Sequence, residues 1–518
     1  MTEFGCNVAA DRRSASSRQL SRHKPIRRGL LAFTAVVAFA AGLLPALSGC
    51  ADETPSFQRI AEAVGIDPYR VSSDTNRELN RFNDSFALYA SDPQNTRQLK
   101  QFRDAFKRIR TSYVEDVADS KLIDAALEGI KAQNAQPHSV KATELVEAAL
   151  DAVTASLDPH SAYLNPDELR ESELVTSGEF GGLGLQVTQE DGKLKVISPI
   201  EGTPADRAGL KPGDVISHLD GKPVEGMSLR NAVNAMRGKP GSTVKLTIQR
   251  DQAPPFDVAI TRAVITIEPV RWRMESDIAY LRVVSFNERT AEAVEAALKD
   301  IRNRQGGDLR GIVLDLRNNP GGLLDQSLAV ADDFIEDGVI VTIRGREHGS
   351  DRTFWASSGD LAREIPLVVL VNAGSASASE IVAAALQDHG RATVMGARTF
   401  GKGSVQTVMR LPIEGALKLT TALYYAPSGE AIQAQGVVPD IQLVGAPTGE
   451  EESHEADLPH ALPPQSQNRH ISRATVEVSK CPEIGDAKDR ELGCALSFLR
   501  AGGSTDRFLA ALAQKAKL

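Results

Sequence analysis

Residues 371–380 constrain the fold more than any other stretch of this 518-residue chain, because they read Val-Asn-Ala-Gly-Ser-Ala-Ser-Ala-Ser-Glu between two apolar runs. The run that ends at Val371 suits a strand, and residues 381–386 suit a helix. A strand that turns through small residues into a helix lifts one side chain and directs backbone N–H groups at one point. The pattern therefore indicates either a nucleophile among the three serines or close packing of small residues.

The segments around this turn alternate between strand and helix patterns, which predicts a layered α/β core over residues 266–445. The strand patterns cover residues 278–284, 311–316, 367–371 and 392–395, and the helix patterns cover residues 290–303, 323–335 and a segment that ends near His389. Two loops at strand ends carry candidate chemistry. Residues 315–322 supply glycine N–H groups, and residues 399–406 hold Lys402 between two glycines.

Residues 169–263 differ in character, with short alternating strands, glycine turns and a helix pattern at residues 228–236. This region resembles a PDZ domain over its whole length. In that fold a glycine loop captures a terminal carboxylate with its N–H groups, and the bound peptide adds as a strand to the following edge. The residues that match the carboxylate loop are Gly182, Leu183, Gly184 and Leu185.

Helical patterns flank these two regions. Residues 50–95 read as a tether with a helical lead-in, and residues 96–165 contain an amphipathic helix whose apolar stripe includes Phe102 and Phe106. These helices are too few for a large core of their own, so we expect them to pack on the main domain or on a partner subunit. At the other end, residues 446–470 read as a linker and residues 471–518 as a small helical tail.

Residues 1–49 form a lipoprotein signal peptide rather than part of the fold. Four Lys or Arg residues between positions 22 and 28 precede an apolar run at residues 29–47, which is close to the roughly 20 residues that span a bilayer. The small residues before Cys50 resemble a bacterial lipobox, in which the cysteine is lipidated and becomes the first residue of the mature chain. An uncleaved signal anchor is the alternative. Both place the remaining chain outside the cytoplasm, facing the periplasm and held at the envelope membrane.

The cysteines and the net charge indicate which covalent links, cofactors and partners to expect. With Cys6 removed and Cys50 lipidated, Cys481 and Cys494 remain, and an even pair in an oxidising compartment suggests a disulfide in the tail. No metal-ligand spacing of Cys or His occurs in the sequence, so we expect no metal and no other cofactor. A net charge of −9 gives no reason to expect nucleic acid as a partner.

Several ordered motifs together resemble the C-terminal processing peptidases, also called tail-specific proteases, over residues 80–445. Besides the PDZ-like region, the motifs are residues 157–164, 315–322, 374–380, 401–406 and 429–440. The resemblance implies a Ser–Lys serine protease with a layered ββα core of the crotonase/ClpP-like type, N-terminal helices and an inserted PDZ domain.

The resemblance assigns the nucleophile to Ser377, the general base to Lys402 and the residue that orients the lysine to Gln406. It further implies that the backbone N–H groups of Gly322 and Ala378 form the oxyanion hole. The residue types suit this chemistry, because a lysine acts as a base only when its pKa falls from about 10.4 to roughly 7–8. Burial is the available means, and flanking glycines let the lysine loop pack closely.

The resemblance also implies the partners. Protein or peptide C-termini are the expected substrates, since a PDZ domain in the same chain as a peptidase raises the local concentration of tails. In the family an arginine of the PDZ domain couples ligand binding to the active site; Arg237 is the match, although it also reads as a surface charge at a helix end. An adaptor lipoprotein and a homo-oligomer formed through the N-terminal helices are further expectations.

Two other functions compete with a Ser–Lys peptidase. A catalytically silent PDZ lipoprotein scaffold is one, although such scaffolds usually lose the serine, lysine or glutamine that this chain keeps. The other is a Ser–His–Asp hydrolase, suggested by Asp158-Pro159-His160. A lone histidine beside a proline turn is more often a structural hydrogen-bonding residue.

Overall fold

The computed structural model describes residues 72–518, and the signal segment and Cys50 lie outside the described residues. Single residues and short stretches within this range are also outside the description: 135, 191–192, 201, 228, 251–252, 267, 306–308, 347–348, 350, 363–364, 446–452, 466–470, 486–487 and 516–518.

Four helices open the described chain: α1 Ser73–Tyr89, α2 Thr96–Ser112, α3 Asp119–Ala132 and α4 Ala142–Ala155. Their apolar stripes form one core, in which the Phe82 ring stacks on the Phe102 ring with centroids 3.5 Å apart. Leu417 and Leu419 of the protease sheet belong to the same core. The helices therefore pack on the main domain, one of the two arrangements that the sequence left open.

The short strand β1 Ala162–Leu164, which belongs to a sheet of the protease core, and the helix α5 Pro166–Thr176 connect these helices to the PDZ domain. The elements of the PDZ domain are β2 Glu179–Gly182, β3 Leu185–Glu190, β4 Lys193–Pro199, α6 Pro204–Arg207, β5 Val215–Leu219, β6 Lys222–Pro223, α7 Leu229–Met236, β7 Thr243–Gln249, β8 Phe256–Thr261 and β9 Ala263–Thr266. The main sheet has the order β3-β4-β5-β7-β8, and β2 pairs with β9. Strand β3 is an edge of this sheet.

The protease core follows. Its elements are β10 Val270–Glu275, β11 Ile278–Val283, α8 Thr290–Gln305, β12 Gly311–Asp315, α9 Leu324–Asp332, β13 Val339–Gly345, β14 Arg352–Trp355, β15 Leu367–Val371, α10 Ala378–Asp388, β16 Ala392–Gly396, β17 Ser404–Arg410, β18 Ala416–Tyr425 and β19 Ile441–Val444. The tail adds β20 Ala474–Glu477, α11 Arg490–Arg500 and α12 Thr505–Lys515.

Two sheets organise this core. The larger has the order β10-β11-β12-β15-β16-β19-β20 and is parallel from β11 to β20. The smaller joins β1, β18, β13 and β14, with β17 on β18. Because neighbouring residues of a strand face opposite sides, Val369 packs in the core with α9 and α10, and Val368 packs in a second core with the tail helices. The fold is the α/β arrangement with N-terminal helices and a PDZ domain that the sequence predicts.

The C-terminal region packs on the protease core, which the sequence did not predict. Its strand β20 extends the larger sheet, and Phe498 and Phe508 are buried against the second face of that sheet. Residues 453–465 were expected to be part of a linker, yet Glu455 and Leu462 in this segment are buried against the core. Composition indicated a linker because the segment is polar, but its polar groups hydrogen-bond to the core.

Candidate active site

The turn between β15 and α10 places Ser377 immediately before the helix. Its φ of 57° and ψ of −114° lie outside the regions that a serine prefers, which carries strain on the order of 1–3 kcal/mol. The hydroxyl groups of the other two serines form hydrogen bonds with backbone carbonyls. The Ser375 hydroxyl donates to the Leu316 carbonyl at 2.8 Å, and the Ser379 hydroxyl donates to the Asn319 carbonyl at 2.9 Å. Both bonds attach the turn to the loop at residues 315–322.

That loop lies directly against the serine. A Cβ atom added at Gly321 would lie 2.8 Å from Ser377 Cβ and 2.9 Å from Ala378 N, so only glycine fits there. Gly322 has a φ of 147° and lies against the Phe286 carbonyl. Among the described residues, neither Gly322 N–H nor Ala378 N–H donates to a protein acceptor. Two unused N–H donors beside one serine suit an oxyanion.

A buried carboxylate joins the serine turn to the lysine loop. Glu380 is fully buried. Its Oε2 atom accepts the N–H of Ser377 at 2.8 Å and the N–H of Lys402 at 2.9 Å, while Oε1 accepts the N–H of Gly401 at 2.7 Å. The Thr399 hydroxyl also donates to Oε1. One side chain therefore fixes the backbone on both sides of the candidate site.

Burial sets the protonation of the site. Burial, together with the charge of nearby Lys418, lowers the pKa of Lys402 to about 8, although the charges of Glu455, Glu380 and Asp158 act in the opposite direction. Burial raises the pKa of Glu380 to about 7, although its hydrogen bonds oppose the rise. A lysine with a pKa near 8 has a usable neutral fraction at neutral pH.

Gln406 lies in β17, four residues after Lys402, and its side chain is hydrogen-bonded to residues other than the lysine. Its side-chain amide donates to Ser404 Oγ at 2.9 Å and to Thr420 Oγ1 at 3.2 Å. Within the part of the chain that the structure describes, Lys402 Nζ forms no hydrogen bond with Ser377 Oγ or with Gln406. The three side chains therefore share a region of the fold without forming a bonded dyad in this conformation.

The Asp158–His160 motif does not form a Ser–His–Asp relay here. The Asp158 carboxylate accepts the N–H groups of His160 and Ser161 at 2.9 and 3.0 Å, and it also accepts the Thr420 hydroxyl. The imidazole of His160 instead has its Nε2 atom 2.7 Å from Glu455 Oε2. Both ends of the motif have structural partners, as expected for a hydrogen-bonding histidine.

Comparison with known proteins places the chain in a family. The model of peptidase family S41 matches residues 277–443, and a PDZ domain model matches residues 181–255. The carboxy-terminal-processing protease of Bartonella bacilliformis is 47% identical over 358 residues, which cover 68% of this chain and 77% of that protein. This chain belongs to peptidase family S41. It is a serine protease of the C-terminal processing type with a PDZ domain.

Other members of the family align over a similar extent. The carboxy-terminal processing protease CtpA of Bacillus subtilis is 33% identical over 339 residues, covering 65% of this S41 peptidase and 67% of that protein. Among solved structures, a photosystem II D1 C-terminal processing protease is 32% identical, covers 67% of this chain and 92% of that chain, and superposes with a TM-score of 0.46.

The PDZ domain of this S41 peptidase contains the loop at residues 182–185 that the sequence predicts to bind a terminal carboxylate. Gly184 has a φ of 75°, and its carbonyl accepts the Ile200 N–H at 2.8 Å. In the described chain, the N–H groups of Leu183 and Gly184 donate to no protein acceptor. Leu185 begins the edge strand β3, and Gly182 ends β2. Arg237 lies beside the start of this loop: its guanidinium carbon is 4.8 Å from the centre of the Phe180 ring, and the N–H of the next residue, Gly238, donates to the Gly181 carbonyl at 3.1 Å.

The remaining sequence expectations concern cysteines and metals. The structure joins Cys481, which directly follows the 3₁₀ turn Val478–Lys480, to Cys494 in α11 by a disulfide. No group of three or more His, Cys, Asp or Glu side chains that could hold a metal ion occurs among the described residues. Likewise, none of the helices in the described ranges has the length and apolar character needed to cross a membrane.

Glu380 is not among the site residues predicted from the sequence. The spacing Ser377-Ala-Ser-Glu380 matches a capping box, in which the glutamate accepts the N–H at the N-cap, and that signal could have marked it. Lys418 and Glu455 had no such signal. Their influence on Lys402 depends on strand pairing and on a distant segment that returns to the core.

Proposed function

We propose that this S41 peptidase cleaves peptide bonds with Ser377 as nucleophile and Lys402 as general base, and that Gln406 orients the lysine. The observation that carries the proposal is the pair of hydrogen bonds from Ser377 N and Lys402 N to the single atom Glu380 Oε2. A lysine whose pKa is about 8 supports the same assignment, because its neutral form can take a proton near neutral pH.

The chemistry proceeds in two stages. Neutral Lys402 Nζ takes the hydroxyl proton as Ser377 Oγ attacks the carbonyl carbon, and the N–H groups of Gly322 and Ala378 bind the resulting oxyanion. The lysine ammonium then donates its proton to the leaving amine, which leaves an acyl-enzyme. A water molecule, deprotonated by the same lysine, hydrolyses that ester.

Substrate choice comes from the PDZ domain in this proposal. The unused N–H groups at Leu183 and Gly184 and the free edge of β3 support capture of a peptide C-terminus by strand addition. Because Lys402 Nζ and Ser377 Oγ are not bonded in this conformation, the cycle includes a movement that brings them together. Coupling of that movement to the PDZ domain through Arg237 stays a prediction.

We further propose that the mature protein is held by a lipid on Cys50 and works on envelope proteins on the periplasmic side. The basic segment, the apolar run and the small residues before Cys50 support this location, as does the disulfide, since disulfides persist in oxidising compartments. Metabolic labelling with a fatty acid, compared between the wild type and Cys50→Ala, tests the anchor. An adaptor lipoprotein and a homo-oligomer stay predictions.

The catalytic proposal is tested with purified variants and a peptide that ends in a free carboxylate. Ser377→Ala and Lys402→Ala should abolish cleavage while melting temperature stays close to that of the wild type. The exposed-site variants Ser139→Ala and Lys100→Ala are the matched controls and should cleave normally. A wild-type protein that binds the peptide but never cleaves it would instead support the PDZ scaffold.

A further inference from the structure

Residues 453–465 return to the lysine loop although they lie beyond the segment that the S41 family model matches. The N–H of Glu455 donates to the Phe400 carbonyl at 2.9 Å, and His454 Nδ1 lies 3.2 Å from the Thr399 carbonyl. Both contacts are to the backbone just before Lys402. We call residues 453–465 the strap.

The side chain of Glu455 is linked through Gln433 to Gly403, the residue that follows Lys402. Its Oε1 atom accepts the side-chain amide of Gln433 at 3.1 Å, and Gln433 Oε1 accepts the N–H of Gly403 at 3.0 Å. Gly403 packs so closely on Gln433 that an added Cβ would lie 2.1 Å from Gln433 N. Glu455 therefore contacts the loop directly before Lys402 through its backbone N–H, and it is linked to the loop after Lys402 through Gln433.

Glu455 and Gln433 are both buried, so their polar atoms need hydrogen-bond partners within the protein. Glu455 is 1% exposed and Gln433 is fully buried, and a buried carboxylate is tolerated only where hydrogen bonds or charges compensate for lost water. The compensation for Oε2 comes from His160 Nε2 at 2.7 Å. The Asp158–His160 turn, which is not part of a catalytic relay, therefore has a role as the support for Glu455.

We propose that Glu455 is a positioning residue for Lys402, held by His160 and acting through Gln433 and the strap backbone on the loop that carries the lysine. The proposal rests on the proposed Ser–Lys mechanism. It extends the active site to a polar segment outside the matched core and explains why that segment is ordered against the lysine loop.

The negative charge of Glu455 affects the pKa of Lys402. The pH dependence of kcat/KM can therefore distinguish a positioning role of Glu455 from a purely structural one. The groups whose charges act on the pKa of Lys402 are Lys418, which lowers it, and Glu455, Glu380 and Asp158, which raise it. Removing the negative charge of Glu455 should therefore lower the pKa of the lysine. The acidic limb of kcat/KM would then move to lower pH, while displacement of the loop lowers kcat.

The test uses the full chain and a peptide substrate with a free C-terminus. Glu455→Gln keeps the volume but loses the charge and one acceptor, and it should lower kcat at least tenfold at unchanged KM, with the acidic limb displaced to lower pH. Glu455→Asp keeps the charge and should restore the position of that limb. Glu477→Gln, at an exposed site of the tail, is the matched control and should resemble the wild type.

A folded Glu455→Gln protein with wild-type kcat and pH profile would overturn the proposal. If neither Glu455 variant folds, His160→Ala decides, because it leaves the carboxylate without its Oε2 partner: kcat should fall at unchanged KM, and wild-type kcat would overturn the proposal. Lys402→Ala is measured alongside. Wild-type turnover in that variant would refute the Ser–Lys mechanism itself, whereas loss of turnover there with normal Glu455→Gln refutes only the role of the strap.

Discussion

Ser377 and Lys402 are tied to the same oxygen atom, because Glu380 Oε2 accepts the backbone N–H of Ser377 at 2.8 Å and that of Lys402 at 2.9 Å. The two residues belong to different loops, one at the start of α10 and one just before β17. The relative position of their backbones is therefore fixed by one buried carboxylate together with the hydrogen bond from the Phe400 N–H to the Ser375 carbonyl at 3.0 Å. Side-chain alignment is a separate step, since their reactive atoms are not bonded to each other in this conformation.

The first prediction concerns Glu380. Replacing it with Gln puts an NH₂ group opposite some of the N–H donors that now bind the carboxylate, so the turn and the lysine loop should separate. A shift of about 1 Å in a catalytic group can lower the rate by on the order of 100-fold, and we expect a loss of kcat of that size. Steady-state kinetics measures it, and Glu336→Gln, at an exposed position, is the control. Unchanged kcat in a folded variant would refute the role of the carboxylate.

The second prediction concerns Lys418, whose charge lowers the pKa of Lys402. Lys418→Met removes this charge, so the pKa of Lys402 should rise and the acidic limb of kcat/KM should move to higher pH. Activity at pH 7 should fall because less of Lys402 is neutral. The measurement is a pH–rate profile, compared with Lys100→Met at an exposed site. A limb that stays in place or moves to lower pH would contradict the electrostatic account.

The third prediction concerns the PDZ carboxylate loop. Gly184 has a φ of 75°, and a Cβ there would lie 2.2 Å from Thr203 Cβ. Gly184→Ala should displace the loop and weaken binding of a peptide C-terminus by at least tenfold, raising KM for tailed substrates. Fluorescence anisotropy with a labelled peptide measures the affinity, and the same peptide with an amidated C-terminus is the ligand control. Gly209→Ala also has a positive φ but open space around it, and it should bind normally.

The fourth prediction concerns stability. Asp315 is fully buried; burial alone would raise its pKa, but hydrogen bonds and charge from Arg317 hold that pKa below its usual value. Arg317 also binds Asp489 and Glu491 of the tail at 2.7 Å. Arg317→Met leaves a buried carboxylate without its main partner and should lower the free energy of unfolding by about 3–5 kcal/mol.

Chemical denaturation measures this loss, with Arg77→Met at an exposed helix position as the control. Because the folded pKa of Asp315 is lowered, its contribution is present above the ordinary aspartate pKa and disappears as the pH falls through the lowered value. The difference between the wild type and Arg317→Met should therefore shrink in strong acid. A loss below about 1 kcal/mol at neutral pH would mean that the pair contributes no more than a surface ion pair.

Regular elements could be predicted from the sequence because their patterns are local. The strand at residues 367–371 coincides with β15, and the helix expected at 290–303 becomes α8 Thr290–Gln305. The ordered motifs also predict that Ser377 and the lysine loop lie close together in the fold. Each of these signals is contained within a few residues or within a set of motifs in fixed order.

Long-range polar contacts could not be predicted in the same way. His160 and Glu455 are 295 positions apart, and nothing in either local sequence identifies the other. The strap resembles a linker because its composition is polar. In the structure its Glu455 is buried and hydrogen-bonded to the core. The tail helices α11 and α12 cover a sheet face whose apolar character was visible, but the sequence did not say which segment would cover it.

The most direct test of the central claim is phosphonylation of the intact protein by a serine-reactive fluorophosphonate probe, which loses fluoride as the serine oxygen bonds to phosphorus, across a range of pH and with the labelled residue identified by mass spectrometry. The account predicts label on Ser377, a rate that rises with pH through the pKa of Lys402 of about 8, and no labelling in Lys402→Ala. Label on another residue, or labelling of Lys402→Ala at the wild-type rate, would contradict it.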